Sequence, residues 1–203
     1  MATLKHTNRL KRVPLITRAI CEALDTQEIR RLCRYFSLSP YDNVALDYNN
    51  QFVEQPDLLD SLLKDSVRDK KISQGAEKQV IIPQRFTDSV LTDKRMTIFV
   101  YCSDVIPVYN SINLDYYFKV QICYPLPIEG LADFKSRPWE IASWLEDNID
   151  GTYPKCEYIK DLGNITFTIT NDIINGKLAN NSEIGVLTVP IRVRVVSSKD
   201  MKL

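Results

Sequence analysis

The segment that decides the fold is residues 116–124, with the sequence YYFKVQICY. Every second side chain in it is apolar, a period of two that is typical of a strand with one buried face and one wet face. Residues 165–170 (ITFTIT) and 186–196 (VLTVPIRVRVV) alternate in the same way, and residues 96–102 (MTIFVYC) are β-branched and aromatic. A shorter apolar run lies at residues 79–83. We therefore predict a mainly antiparallel sheet of four to five strands.

One helix is predicted between the second and third of these strands, at residues 138–149. Pro138 suits its first turn, and Gly151 stands where a left-handed C-terminal cap is expected. Its apolar stripe includes Ile141 and Leu145, which would cover one face of the sheet. The result is an α+β sandwich in the order β-β-α-β-β. Of its two tryptophans, we assign Trp144 to the core and Trp139 to the rim or to a subunit contact.

The N-terminal part of the chain has a helical period instead. Helices are predicted from residue 13 to 24, from 27 to 36 and from 56 to 67, and residues 65–78 look like a linker. The expected division is a helical arm and linker over 1–76 and an α+β core over 77–203. We expect residues 1–70 to contact a neighbouring subunit. The alternative is that these helices dock onto their own sheet.

Composition limits the classes of protein that fit. The 26 basic and 26 acidic residues balance, so no overall field attracts nucleic acid or a membrane. No apolar stretch is long enough to span a bilayer, and the basic N-terminus lacks the apolar core of a signal peptide. The five cysteines form no C-x-x-C pair, which favours a reduced intracellular compartment.

Catalytic equipment is sparse in the sequence. His6 is the sole histidine, and the six glycines form no phosphate-binding motif. The Asp147–Gly151 stretch lacks the ligand spacing of a calcium loop. Paired carboxylates are the remaining catalytic candidates, namely Asp104 with Asp115 or Asp88 with Asp93. We predict no enzymatic activity, no cofactor and no metal site.

The basic N-terminus is the main charge feature. Residues 1–36 carry eight basic and three acidic side chains, a net charge of +5. These cations could contact phosphates, but three of them alternate with apolar residues as in an ordinary amphipathic helix. We favour an acidic protein surface as their partner. A second candidate contact is residues 171–183, predicted as a loop between two paired strands.

A resemblance rests on residues 137–142, RPWEIA, which follow YYFKVQICY and precede LGNITFTIT at 162–170. This order resembles the tail-terminator and head-to-tail joining proteins of tailed bacteriophages. The segments QEIRRLCRYF (27–36) and QPDLLDSLL (55–63) look like the added arm of a neck ring protein in a larger podovirus-like or crAss-like phage. One departure is that channel faces of such rings are often acidic, whereas Arg192 and Arg194 lie on a strand here.

The resemblance implies a virion protein, assembled in the host cytoplasm, that forms a hexameric or dodecameric ring. Its partners would be further copies of itself, the portal or neighbouring neck and tail proteins, and viral DNA passing without sequence-specific binding; no membrane is implied. The expected interface residues are Arg9, Arg12, Arg30, Arg31, Arg34, Trp139, Asn175, Lys177 and Asn180. The alternatives are a nucleic-acid-associated or regulatory adaptor and a small carboxylate-dependent enzyme.

Overall fold

The computed structural model describes residues 9–47, 49–58, 80–85, 96–108, 113–151, 164–178 and 181–196. Within these ranges the helices are α1 (Arg12–Leu24), α2 (Gln27–Arg34) and α3 (Arg137–Asn148). The strands are β1 (Val44–Leu46), β2 (Phe52–Glu54), β3 (Ile81–Ile82), β4 (Thr97–Pro107), β5 (Leu114–Pro125), β6 (Asn164–Ile169), β7 (Ile174–Leu178) and β8 (Asn181–Val196). Short 3₁₀ turns lie at Arg9–Lys11, Leu126–Ile128 and Ala132–Phe134.

Six of the strands form one mixed sheet in the order β3-β4-β5-β8, with β6 and β7 both along the far edge of β8. Strand β3 is parallel to β4, and the other pairs are antiparallel. Strand β8 has 16 residues, which is long enough to pair with β7 along its first half and β6 along its second. Strands β1 and β2 form a separate antiparallel hairpin.

The α+β class is confirmed, but the β-β-α-β-β arrangement is not. The sheet has six strands instead of four or five, because residues 171–183 are not a loop. They contain β7 and the start of β8. Every described side chain of β7 is exposed or half-buried, so this strand has no apolar alternation by which the sequence could reveal it.

The core lies on one face of the sheet, which we call the helix face. Phe118 and Val120 of β5 pair with Ile191 and Val189 of β8, and all four are buried there. The same apolar cluster includes residues from all three helices. Ile141 of α3 is fully buried within it, as predicted.

Helices α1 and α2 belong to this core. Ile16, Ile20 and Leu24 of α1 are fully buried in the cluster, and α1 packs against β3 and β4. For residues 12–34, the structure therefore has the helices docked on their own sheet, not extended as an arm. The expected boundary at residue 76 and most of the predicted third helix lie outside the described residues. No helix among those described is long and apolar enough to cross a membrane.

The sequence predicted the start of α2 at residue 27 and a glycine cap after α3, and both are confirmed. The Thr26 hydroxyl accepts a hydrogen bond from the backbone N–H of Ile29, which caps α2. Gly151 has a φ of 64° just after α3, the left-handed conformation expected there. Its N–H donates to the carbonyl of Phe167, which ties the end of the helix to β6.

Candidate functional site

The junction between α2 and α3 is held by one buried cation, Arg137. Its side chain has no solvent exposure. The guanidinium donates to the carbonyls of Leu32 at 2.7 Å, Ser37 at 2.8 Å, Tyr35 at 2.9 Å and Ile128 at 3.0 Å. Three of these acceptors lie in or just after α2. Arg137 therefore satisfies carbonyls that the end of α2 leaves unpaired, and fixes the start of α3 against them.

This junction carries a turn that presents an aromatic side chain to solvent. The N–H of Ala132 donates to the carbonyl of Leu38 at 2.8 Å, which anchors the turn beside the end of α2. Asp133 and Phe134 follow with φ values of 59° and 60°. Bulky residues rarely adopt this conformation, which costs about 1–2 kcal/mol per residue. Phe134 is nonetheless fully exposed, at 108%.

The β1–β2 hairpin lies on the same side of the molecule. Gln55, at its end, donates to the carbonyl of Ser39, which ties the hairpin to the chain leaving α2. Leu46 pairs with Phe52, and Val44 shares their face. All three are exposed, Phe52 at 79%. We call the Ala132–Phe134 turn and this hairpin face the contact surface.

The turn of the hairpin is stabilised by Asp47. Its carboxylate accepts hydrogen bonds from the backbone N–H groups of Gln51 at 2.9 Å and Asn49 at 2.8 Å. These bonds, chiefly the one from Gln51, hold the pKa of the Asp47 carboxyl below its usual range. A cavity of about 320 Å³ separates the hairpin from the end of α2. Arg34, Tyr35 and Val53 are among the residues that line it.

Two of the predicted interface arginines bind within the chain. Arg31 is 4% exposed and donates to the carbonyls of Pro40 at 2.8 Å and Asp42 at 2.7 Å. Arg30 pairs with Asp25 at 2.9 Å. Arg31 is thus a structural residue that holds the loop after α2. In the sequence, these arginines alternate with apolar residues, and this pattern favoured contacts within the chain.

The other predicted interface residues are dispersed. Arg12 is half-buried at the start of α1, and Arg34 is exposed beside the cavity. Trp139 is 43% exposed at the start of α3, close to the contact surface, whereas Trp144 packs against the core. Asn175 and Lys177 are exposed on β7, where the Asn175 amide oxygen accepts from the Tyr124 hydroxyl at 3.2 Å. Asn180 and the side chain of Arg9 lie outside the described residues.

Among the described side chains considered for chemistry, three cysteines are inert and one of the two aspartates is paired. Burial raises the pKa of the Cys21, Cys33 and Cys123 thiols to about 12, so they stay protonated and unreactive at neutral pH. Asp104 is exposed on β4, and Asp115 binds an arginine. Asp88 and Asp93 lie outside the described residues. Among the described residues, no group of three or more His, Cys, Asp or Glu side chains could hold a metal ion.

The second face of the sheet, which we call the polar face, is unlike the helix face. A small apolar cluster lies at one end of it, around Phe99 and Cys123. Toward the other end, Asp115 of β5 pairs with Arg194 of β8, through two hydrogen bonds of 2.7 Å each. The hydrogen bonds from Arg194 hold the pKa of the Asp115 carboxyl below its usual range, and the charge of Arg192 lowers it further.

Function has to be argued from the surfaces of the molecule. The chain matches no protein-family model and none of the curated proteins. The contact surface and the polar face are therefore the two features from which function can be argued.

Sequence reasoning missed the residues that make the contact surface. Phe134 lies in a short polar stretch, and nothing in its neighbours indicates a positive φ at an aromatic residue. Strands β1 and β2 have three residues each, too few to show a period. The available indication was a pair of apolar residues, Phe52 and Val53, next to the polar run Asp47–Gln51, which is typical of a hairpin turn.

Proposed function

We propose that this chain is a structural subunit of the neck or tail of a tailed bacteriophage. Copies of it would form a ring that joins the head or portal to the tail and leaves a channel for DNA. The protein would be located in the virion, and its core would be a variant of the tail-terminator fold with additional strands. The observation that carries the proposal is the contact surface, on which apolar side chains are held out into solvent.

The contact surface fits a protein partner better than it fits solvent. Single exposed apolar residues are ordinary on a protein surface, but adjacent groups of them mark places where another protein binds. Here two anchored elements, the turn with Phe134 and the hairpin with Phe52, both present aromatic rings. Phe134 also bears backbone strain, and strain of this kind is concentrated at sites with a function.

A ring subunit needs two different surfaces, because each copy contacts one neighbour on either side. The contact surface supplies one. Strand β7 supplies the second, since it is an edge strand whose free backbone groups can pair with another chain. Its Ile174 is 63% exposed on the polar face, and Asn175 and Lys177 are exposed on the other face of the strand. Both surfaces belong to the same sheet-and-helix core, so their relative position in a ring would be fixed.

Self-association of variants tests the contact surface directly. Sedimentation velocity over a concentration series should show that Phe134→Ser and Phe52→Ser each weaken association by about tenfold or more, since each removes a large apolar contact. Ile106→Ser is the matched control, because Ile106 is 50% exposed on β4 but lies on the polar face. Equal association of all three variants and the wild type would contradict the role of this surface.

Electron microscopy tests the location. In particles that contain this chain, gold-labelled antibody against it should bind at the junction of head and tail. Label on the capsid faces or only on unassembled protein would contradict the proposal, whatever the solution assay shows.

A further inference from the structure

The polar face contains a row of charged side chains whose partners are incomplete. Strand pairing places Tyr117 of β5 beside Arg192 of β8, and Arg192 beside Thr168 of β6. One step along, Asp115 stands beside Arg194. One step in the other direction, Lys119 stands beside Pro190. Side chains of directly paired residues share a face, so these residues form one surface.

Arg194 is neutralised on this surface, whereas Arg192 is not. Asp115 takes both hydrogen bonds from Arg194. The Nε atom of Arg192 is buried and has no hydrogen-bond partner among the described residues. A buried donor without an acceptor destabilises a protein by about 1–3 kcal/mol. Such groups are rare in native structures and call for an explanation, of which an absent ligand is one.

Lys119 supplies a second cation close by. Within the described part of the chain its ammonium forms no ion pair, and the side chain is half-buried. Lys119 and Arg192 lie diagonally across β5 and β8, and diagonal neighbours of this kind are about 7–8 Å apart. Two adjacent cations that have no carboxylate in hydrogen-bond contact among the described residues can bind one anionic group from both sides, or two anionic groups in succession.

Aromatic rings flank the two cations. Tyr117 of β5 is paired with Arg192 of β8, and Tyr101 of β4 is paired with Lys119 of β5. Both are half-buried, so part of each ring reaches the surface. Cations beside exposed aromatic rings on an open sheet are the combination that binds nucleic acid, with phosphates on the cations and bases on the rings.

One acidic side chain opposes this arrangement. Asp104 is exposed on β4 and is paired with Tyr117, so it lies two strands from Arg192 but diagonally from Lys119 on the adjacent strand. Its charge reduces the positive field of the surface without pairing with either cation, and it provides a test of the electrostatics.

We propose that Lys119 and Arg192, with Tyr117 and Tyr101 beside them, form a binding site for the phosphodiester backbone of nucleic acid on the polar face. The site belongs to a single chain and does not depend on the formation of a ring.

Fluorescence anisotropy with labelled DNA oligonucleotides of mixed sequence tests the site, using one single strand and the duplex of the same sequence. Lys119→Met and Arg192→Met should each lower the affinity by about tenfold. Each should also reduce the slope of log affinity against log salt by about 1, as loss of one phosphate contact predicts. Asp104→Asn should raise the affinity. A larger loss for the single strand than for the duplex in Tyr117→Leu would identify base stacking.

Lys177→Met is the matched control, because Lys177 is an exposed cation whose paired residue, Gly185, lies on the helix face. A thermal melt accompanies each variant. Arg192→Met should keep or raise the melting temperature, since it removes an unpaired buried donor. Absence of binding to both forms of DNA at low salt would overturn the proposal. So would losses in Lys119→Met and Arg192→Met no larger than in Lys177→Met. Either result leaves the ring proposal standing, because the contact surface lies elsewhere.

Discussion

Arg137 is the residue on which the junction of the helices depends most. Its charge is buried, and its guanidinium is balanced by four backbone carbonyls. We expect Arg137→Met to lower the free energy of unfolding by about 3–5 kcal/mol, because it leaves those carbonyls buried without donors. Urea denaturation measures this.

Arg18→Met is the control for Arg137→Met. Arg18 forms an exposed i,i+4 pair with Glu22 at 2.8 Å, and such pairs contribute only about 0.5 kcal/mol. Arg137→Lys should resemble Arg137→Met, since one ammonium group cannot reach all four carbonyls. A loss for Arg137→Met no larger than for Arg18→Met would contradict the structural role.

We expect the free energy of unfolding to depend on pH because of Asp115. Its carboxyl has a lowered pKa in the folded chain, chiefly through the hydrogen bonds from Arg194. Such a group stabilises the fold above the ordinary carboxyl range, about pH 4, and this contribution is lost as the pH falls through the lowered pKa. Asp115→Asn should therefore be less stable than wild type at pH 7 by about 1 kcal/mol. The two unfolding free energies should converge below about pH 4.

Arg194→Met removes the partner of the same pair and should give the same convergence at low pH. If Asp115→Asn differed from wild type by a constant amount from pH 7 to pH 3, the lowered pKa would not be the cause of the difference.

What the sequence can predict differs between residues. The sequence indicated that residues 137–142 (RPWEIA) are important, but it did not indicate the role of Arg137. Three of its four acceptors are backbone carbonyls about 100 positions away, and any residue type provides a carbonyl. Arg192 was visible as a charged residue on a strand. Its missing partner depends on which strands flank β8, which the alternation alone does not determine.

At the scale of elements, close approach between β5 and β8 gives the clearest prediction. The ring of Tyr124 lies over Gly185, its paired residue, so that a Cβ at position 185 would be 2.3 Å from the ring. Gly185→Ala must therefore displace Tyr124, and we expect a loss of about 2–3 kcal/mol in the free energy of unfolding. Gly176→Ala is the control, because nothing lies within 4 Å of a Cβ there.

A double-mutant cycle shows whether the clash is the cause. Gly185→Ala in the Tyr124→Ala background should cost much less than in the wild type, since the ring is gone. Additive losses would mean that Gly185 is needed for another reason.

Elements that bury apolar side chains were predictable, whereas β1, β2 and β7 were not. Strands β5, β6 and β8 and helix α3 show the period of the structure in their sequences. Strand β4 is buried on both faces over residues 97–100 and was predicted from its β-branched and aromatic residues. Strand β7 packs little against the core and is held by backbone pairing to β8. Backbone pairing of this kind leaves no trace in side-chain type. Strand β3 has only two residues, but both are apolar and buried, and they lie within the apolar run that the sequence shows at residues 79–83.

For the whole molecule, the position of α1 and α2 was the open question. Their apolar stripes are visible in the sequence, but a stripe does not state what covers it. Docking on the sheet buries Ile16, Ile20 and Leu24 completely, which accounts for helices too short to be stable alone. The surfaces left for partners are then the contact surface, the edge at β7 and the polar face.

The central claim is that this chain assembles into a closed ring. Native mass spectrometry of the full chain at high concentration tests it most directly. The account predicts one dominant species at six or twelve times the chain mass of 23.4 kDa, because a ring closes at a fixed number of copies. A monomer at every concentration, or an open series of masses without a preferred size, would contradict it.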